Sequence, residues 1–178
     1  AVTGVQTCAL PICGVLSRRD HSTLRHAAEE GASSPTIPQG LAMTTTSKQD
    51  QIAELIRRAT VIPVLTIERV EDAVPLARAL VAGGVRTLEV TLRTPVAADA
   101  AKAIIAEVPD AVVGIGTILN AGDLARAEAL GAKFGISPGA TPELLKAVAA
   151  SRLPFAPGIA TASELMQALA HGDRKSVV

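Results

Sequence analysis

The chain has 178 residues, room for one domain with a sizeable core, and 48% of them are apolar. Its 17 basic and 17 acidic residues cancel, so no acidic partner is implied, and with Phe134 and Phe155 as the only aromatic rings nucleic-acid binding through base stacking is a poor fit. No apolar run is long and uninterrupted enough to span a bilayer, so no membrane partner is expected either.

In chain order, the first stretch is residues 2–12 (VTGVQTCALPI), which read back into codons as a sequencing-library adapter in frame. The last six residues, 173–178 (DRKSVV), read back as an adapter from the other end. Residues 14–42 mix Arg, His, Ser and Pro without a sustained apolar period, as upstream DNA translated in frame would. Asp20, Glu29 and Glu30 argue against a transit peptide despite Arg18, Arg19 and Arg25. Residues 1–42 are therefore expected to be adapter-derived and read-through sequence without stable structure, residues 173–178 an adapter-derived tail, and Met43 the true start. Cys8 and Cys13 fall in the leader and are given no role; the core from Met43 has no cysteine, which fits a reduced, cytoplasmic protein.

Residues 48–59 read as a helix leading into the first strand. From Thr60 onward, short β-branched or apolar runs alternate with Ala/Leu-rich stretches whose apolar residues recur three and four apart. The expected strands are 61–65 (VIPVL), 87–92 (TLEVTL), 111–118 (AVVGIGTI), 134–137 (FGIS) and 153–160 (LPFAPGIA). The expected helices between and after them are 74–81, 97–107, 121–130, 142–150 and 163–170. Asp72, Thr94, Asn120, Thr141 and Thr161 are candidate caps, with Pro95 and Pro142 at first helical positions, where the missing N–H costs nothing. ALVAGG (79–84), EALGA (128–132) and ALAHG (168–172) look alike, each placing a glycine where a left-handed residue ends a helix. Strand follows strand at a period of about two dozen residues, which requires parallel pairing through right-handed crossovers. A doubly wound sheet and a barrel both satisfy this pattern. The short, even period and the polar residues at strand C-terminal ends favour the barrel.

The second strand carries the strongest chemical signal. Alternation along LEVTLRT puts Glu89, Thr91 and Arg93 on one face and Leu88, Val90 and Leu92 on the other. A carboxylate and a guanidinium pointing inward are costly unless paired or used, so this face reads either as a proton-transfer group beside an anion-holding arginine or as a structural Glu–Arg pair. The third strand ends in GIGTILN (114–120), where two glycines admit a close approach of backbone or ligand and Thr117 can donate to a substrate oxygen. The third glycine of a dinucleotide fingerprint is missing. ISPGAT (136–141) and APGIAT (156–161) place Pro-Gly where two later strands end, which plain turn chemistry also explains.

Taken together, EVTLRTP, GIGTILN, ISPG and PGIAT-x-SEL, in this order, resemble the 2-keto-3-deoxy-6-phosphogluconate and 4-hydroxy-2-oxoglutarate aldolases over residues 47–172. The resemblance implies a (β/α)8 TIM barrel, truncated here to about five βα units, and a homotrimer in the full-length protein. It implies a class I aldolase, in which a lysine forms a Schiff base with pyruvate, and no cofactor or metal. Carried over by motif, Glu89 matches the general acid/base, Arg93 and Thr117 match the groups that bind the pyruvate carboxylate, and Pro138 lines the pocket. The substrate expected is a keto acid: 2-keto-3-deoxy-6-phosphogluconate, cleaved to pyruvate and glyceraldehyde 3-phosphate, or 4-hydroxy-2-oxoglutarate, cleaved to pyruvate and glyoxylate.

The family's Schiff-base lysine stands on a sixth strand, in a motif like FKFFPAE, and no such motif is present. Lys102 and Lys146 fall on expected helices, Lys133 precedes the fourth strand and Lys175 lies in the tail, so these residues alone are expected to be inactive. A metal-dependent aldolase would need convergent ligands that His21, His26 and His171 do not supply. A non-catalytic α/β module holding a small anion through Arg93 and Thr117 is the competing reading.

Overall fold

Parallel strands must be joined by crossovers, and the Ala/Leu-rich stretches supply these as helices. The computed structural model describes Val5–Gln6, residues 47–173 and Ser176. Its elements run β1 (Val5–Gln6), α1 (Lys48–Arg58), β2 (Val64–Leu65), α2 (Val70–Ala82), β3 (Thr87–Thr91) and α3 (Ala97–Glu107), then β4 (Val112–Gly116), α4 (Ala121–Ala129), β5 (Phe134–Ser137), α5 (Pro142–Ala150), β6 (Phe155–Pro157) and α6 (Ala162–Ala170). β1 pairs antiparallel with β2, and β2 to β6 pair in parallel, each with its neighbour in sequence. This strand order decides between the two architectures left open above. A doubly wound sheet reverses direction at a switch point, whereas a barrel adds each strand to the same side of the last. The strands follow one another without reversal, so β2–α6 is five consecutive units of a TIM-barrel-like fold. Among the described residues, β6 has a strand on one side only.

The leader, with Cys8, Cys13, His21, His26 and Met43, lies outside the described residues apart from the two-residue strand β1. In the tail, Asp173 is buried and its backbone N–H donates to Ala168 O at 3.0 Å, while Lys175 lies outside the described residues.

Helix ends confirm three of the five expected caps. Asn120, Thr141 and Thr161 accept from the backbone N–H three residues on, and Pro142 occupies the first turn of α5. The other two expectations are corrected. Helix α2 starts at Val70, a turn earlier than expected, so Asp72 lies inside its first turn and pairs with Arg69 at 2.7 Å instead of capping. Thr94 does not cap α3, whose N-cap is Val96. Its hydroxyl donates instead to Ile67 O at 2.6 Å, and Pro95 lies before the helix. A threonine that ties two loops together cannot also fold back on its own helix. The three glycine helix ends behave as expected. Gly84, Gly131 and Gly172 have φ of 88°, 79° and 84°, and the next residue donates back five positions each time: Val85 to Leu80, Ala132 to Ala127, Asp173 to Ala168.

The sheet has two faces with different jobs. Leu65, Leu88, Val90, Val113, Ile115 and Phe155 point outward and pack under α2–α5, against Ala73, Ala77, Ala97, Ala100, Ile104, Leu124 and Leu144. The alanines let helices sit close to the strands, and truncating one of the large residues to alanine would cost roughly 2–5 kcal/mol. On the inner face, Phe134 and Ala156 pack with Ile52 of α1 and with Ile62 and Val112 near the strand starts. Helix α1, started by a Ser47/Asp50 capping box, thus covers the N-terminal end of the inner face. The C-terminal end is left for chemistry.

Candidate active site

Alternation places Thr87, Glu89 and Thr91 on the inner face of β3 while Leu88 and Val90 face the helices. Register sets their neighbours. Val64, Glu89, Gly114 and Phe134 form one row across β2 to β5, and Thr91 stands opposite Gly116. Beyond Val112 the inner face of β4 is bare, and both neighbours use the space. A Cβ at Gly114 would overlap the Phe134 ring, and one at Gly116 would overlap the Glu89 carboxylate. The sequence suggested that these glycines admit backbone or ligand. They admit two side chains of the protein itself.

Glu89 is 7% exposed, and among the described residues its carboxylate accepts no hydrogen bond and forms no ion pair. Burial penalises the charged form and raises its pKa to about 7, while the Arg93 guanidinium pulls it back down. Near neutral pH the group is thus shared between acid and base forms, the condition for moving a proton in both directions.

Strand β3 ends at Thr91, so Arg93 is not on the strand face as expected but in the turn beyond it, exposed. Leu92 N–H donates to Gly116 O at 3.0 Å as the last rung of the ladder between β3 and β4, and the chain turns away after it. Arg93 still acts on Glu89 through its charge, and among the described residues no carboxylate lies within ion-pair distance of its guanidinium. The structural Glu–Arg pair considered from sequence is therefore not formed. A free guanidinium beside a half-titrated carboxyl can take an anionic ligand. Thr91 donates to Leu65 O at 2.9 Å and lies 3.3 Å from the Thr66 hydroxyl, which ties the ends of β2 and β3 together at this edge.

Thr117 follows β4 directly and has φ of 62°. A β-branched residue in the left-handed region costs on the order of 1–3 kcal/mol, and surrounding bonds hold it there. Gly116 O accepts from Leu92 before it. Ile118 N–H donates to Ile136 O at 3.2 Å after it, and Leu119 N–H donates to Asp123 at 3.0 Å. Nothing in the sequence pattern announces this strain.

Pro138, after β5, lies on the lip of an open pocket of about 400 Å3 that is also lined by Ile118, Leu119, Thr141, Leu144 and Glu164. Glu89, Arg93 and Thr117 are not among the residues that line it, although Ile118 and Leu119, next after Thr117, are. Ser137, missed in the sequence, is 1% exposed with its hydroxyl unpartnered. It stands on the outward parity of β5, away from Glu89.

None of the described lysines reaches this edge. Lys48 Nζ donates to the carbonyls of Val148, Ala149 and Ser151 at the end of α5. Lys102 and Lys146 are exposed on α3 and α5, and Lys133, exposed just before β5, is tied by its N–H to Val113 O at the strand-start end. No helix among the described residues is long and apolar enough to cross a membrane.

Comparison with known proteins shows the family and agrees with the fold. The model of the family "KDPG and KHG aldolase" matches residues 52–176. The KHG/KDPG aldolase of Escherichia coli is 52% identical over 118 residues, which are 66% of this chain and 55% of that protein. The 2-dehydro-3-deoxy-phosphogluconate aldolase of Dickeya dadantii is 51% identical over 122 residues, 68% of this chain and 57% of that protein. Among solved structures, the 2-keto-3-deoxy-6-phosphogluconate aldolase of Zymomonas mobilis, crystallised with 3-phosphoglycerate, superposes with a TM-score of 0.68 at 49% identity, over 70% of this chain and 59% of that one. The KDPG aldolase of Legionella pneumophila, with pyruvate captured at low pH as a covalent carbinolamine intermediate, gives 0.65 at 47% identity, over 71% and 60%. The chain spans a little over half the length of the curated relatives it matches.

Proposed function

The chain belongs to the KDPG and KHG aldolase family, and we propose that the whole protein cleaves 2-keto-3-deoxy-6-phosphogluconate to pyruvate and glyceraldehyde 3-phosphate. 4-Hydroxy-2-oxoglutarate, giving pyruvate and glyoxylate, is its second substrate. The observation that carries this reading is the buried Glu89 carboxyl, raised to about 7 beside an unpaired Arg93 at the C-terminal edge of the strands.

In this reading Arg93 and Thr117 hold the substrate carboxylate next to its keto carbon, and Pro138 borders the path to the site. A lysine from outside the described residues condenses with the keto group and releases water as the imine forms. Glu89, as carboxylate, then takes the proton of the C4 hydroxyl as the C3–C4 bond breaks. The bonding electrons pass into the imine, leaving an enamine and the aldehyde. Glu89, now protonated, returns its proton to C3, and water releases pyruvate. One group whose pKa sits near neutrality serves both steps. The family resemblance supports a cytoplasmic homotrimer working in the Entner–Doudoroff pathway, with a keto-acid substrate and neither membrane nor nucleic-acid partner.

The placement of the described lysines favours a second reading for these 178 residues by themselves: a module that holds a small anion through Arg93 and Thr117 without turnover. Borohydride treatment with pyruvate separates the two. The whole protein, encoded by the source DNA read past the codon for Gly172, is expected to gain the mass of a reduced pyruvate adduct and to release pyruvate from the phosphorylated substrate. The 178-residue chain is expected to gain no adduct. A whole protein that binds pyruvate but traps no imine would overturn the aldolase reading and leave the anion-binding one.

A further inference from the structure

The Glu89 carboxylate has no hydrogen bond to hold it among the described residues, yet the proposed chemistry needs it at one place. Packing must therefore set its position. On the side of β5, the Phe134 ring fills the space over Gly114, the residue opposite Glu89 in register. Phe134 is fully buried and locked against Ile52 and Ala156, so the carboxylate cannot lie straight across the strand. It reaches instead along β4 by two residues, toward the C-terminal edge, where Gly116 faces inward opposite Thr91. The three heavy atoms nearest to a Cβ built on Gly116 all belong to Glu89: Oε1 overlaps it, and Cδ and Cγ lie at 2.7 and 2.8 Å. Gly116 itself has no positive φ that would demand glycine. Its missing side chain is a matter of space.

We propose that Gly116 is a positioning residue for Glu89: the absent Cβ forms the seat in which the carboxyl lies against β4, with the Phe134 ring as its back wall. The significance for turnover rests on the reading of Glu89 as the proton carrier. The seat itself does not. Glu89 is buried there, and the residues beside it in register on β2, β4 and β5, Val64, Gly114, Gly116 and Phe134, are none of them titratable. Among the described residues, Arg93 is the one charge that acts on Glu89. A methyl group at position 116 drives the carboxyl out of the seat and toward solvent at the strand ends.

The test compares Gly116→Ala with Gly135→Ala in the full chain. Each adds a methyl group to the sheet, but the second lies on the outer face of β5, where it meets Phe155 and Ile118 and spares both Glu89 and Phe134. The readout is the titration of the Glu89 side-chain carboxyl carbon by NMR. Gly116→Ala is expected to lower its midpoint by about one unit or more, toward the ordinary carboxylate range, while Gly135→Ala leaves it in place. An unchanged midpoint in a folded Gly116→Ala chain overturns the proposal. Should that variant not fold, Glu89→Ala is added to it. Recovered folding in the double variant supports the seat, because the overlap is gone, and continued failure overturns it. Cleavage by Glu89→Gln in the whole protein tests the acid/base role separately, and its result leaves the titration untouched.

Discussion

Replacing Glu89 with Gln should stabilise the protein, and by an amount that depends on pH. In the folded chain the Glu89 pKa is raised from 4.5 to about 7 because burial disfavours the carboxylate. A raised acid is a stability cost that is absent below the unfolded pKa, grows as pH climbs from about 4.5, and is complete above the folded pKa of about 7. The rise from 4.5 to about 7, at 1.36 kcal/mol per pH unit, corresponds to roughly 3 kcal/mol at alkaline pH. Glutamine has nearly the same shape and no charge, so it escapes this penalty. At pH 5 only about 1 kcal/mol of it has developed, so the stability gap between Glu89→Gln and the parent should widen by roughly 2–3 kcal/mol between pH 5 and pH 8. Urea unfolding at both pH values, followed by far-ultraviolet circular dichroism, measures that gap directly. A gap equal at the two pH values would refute the reasoning, since it would mean that Glu89 ionises in the fold as easily as in water.

Two other substitutions bear on the same edge. Arg93→Ala removes the charge that holds the Glu89 pKa down, so the carboxyl midpoint should move up, and pyruvate affinity by calorimetry should fall about tenfold or more with the lost charge-assisted hydrogen bonds. A lower midpoint, or unchanged affinity, would remove Arg93 from the site. Thr117→Gly relieves a left-handed β-branched residue, worth roughly 1–2 kcal/mol, against about 0.4–1 kcal/mol of extra unfolded-state entropy. The chain should become slightly more stable to urea while binding pyruvate more weakly. If stability falls instead, the strain assigned to Thr117 is wrong.

Much of the fold could be read from local pattern because its determinants are local. Period and capping located all five helices after α1, and the glycines that end three of them were readable because only glycine takes a φ near +80° without cost. Two of the three errors, at Thr94 and Arg93, fell where the chain has a partner far away in sequence, and the third, at Asp72, is local. Thr94 was expected to cap α3, but its hydroxyl serves Ile67 on the preceding loop. Asp72 was expected to start α2, but pairing with Arg69 carries the helix back to Val70. Plain alternation carries Arg93 onto the strand face, but the bond from Leu92 to Gly116 is the last rung of the ladder and the chain turns away beyond it.

Within the site, the sequence alone determined which residues were candidates. An inward carboxylate followed by an arginine is costly to bury without a use, and that cost is visible in any alternating strand. Tertiary structure decided what state those residues adopt. Whether Glu89 is charged depends on neighbours from β2, β4 and β5, whether Arg93 is paired depends on where the turn after β3 leads, and whether Gly116 is a turn, a ligand seat or a side-chain seat depends on register across the sheet. The physical reason is one of range. Dihedral preference, periodicity and capping act over a few residues of chain, whereas desolvation, charge coupling and steric exclusion act through space among segments brought together only by the fold.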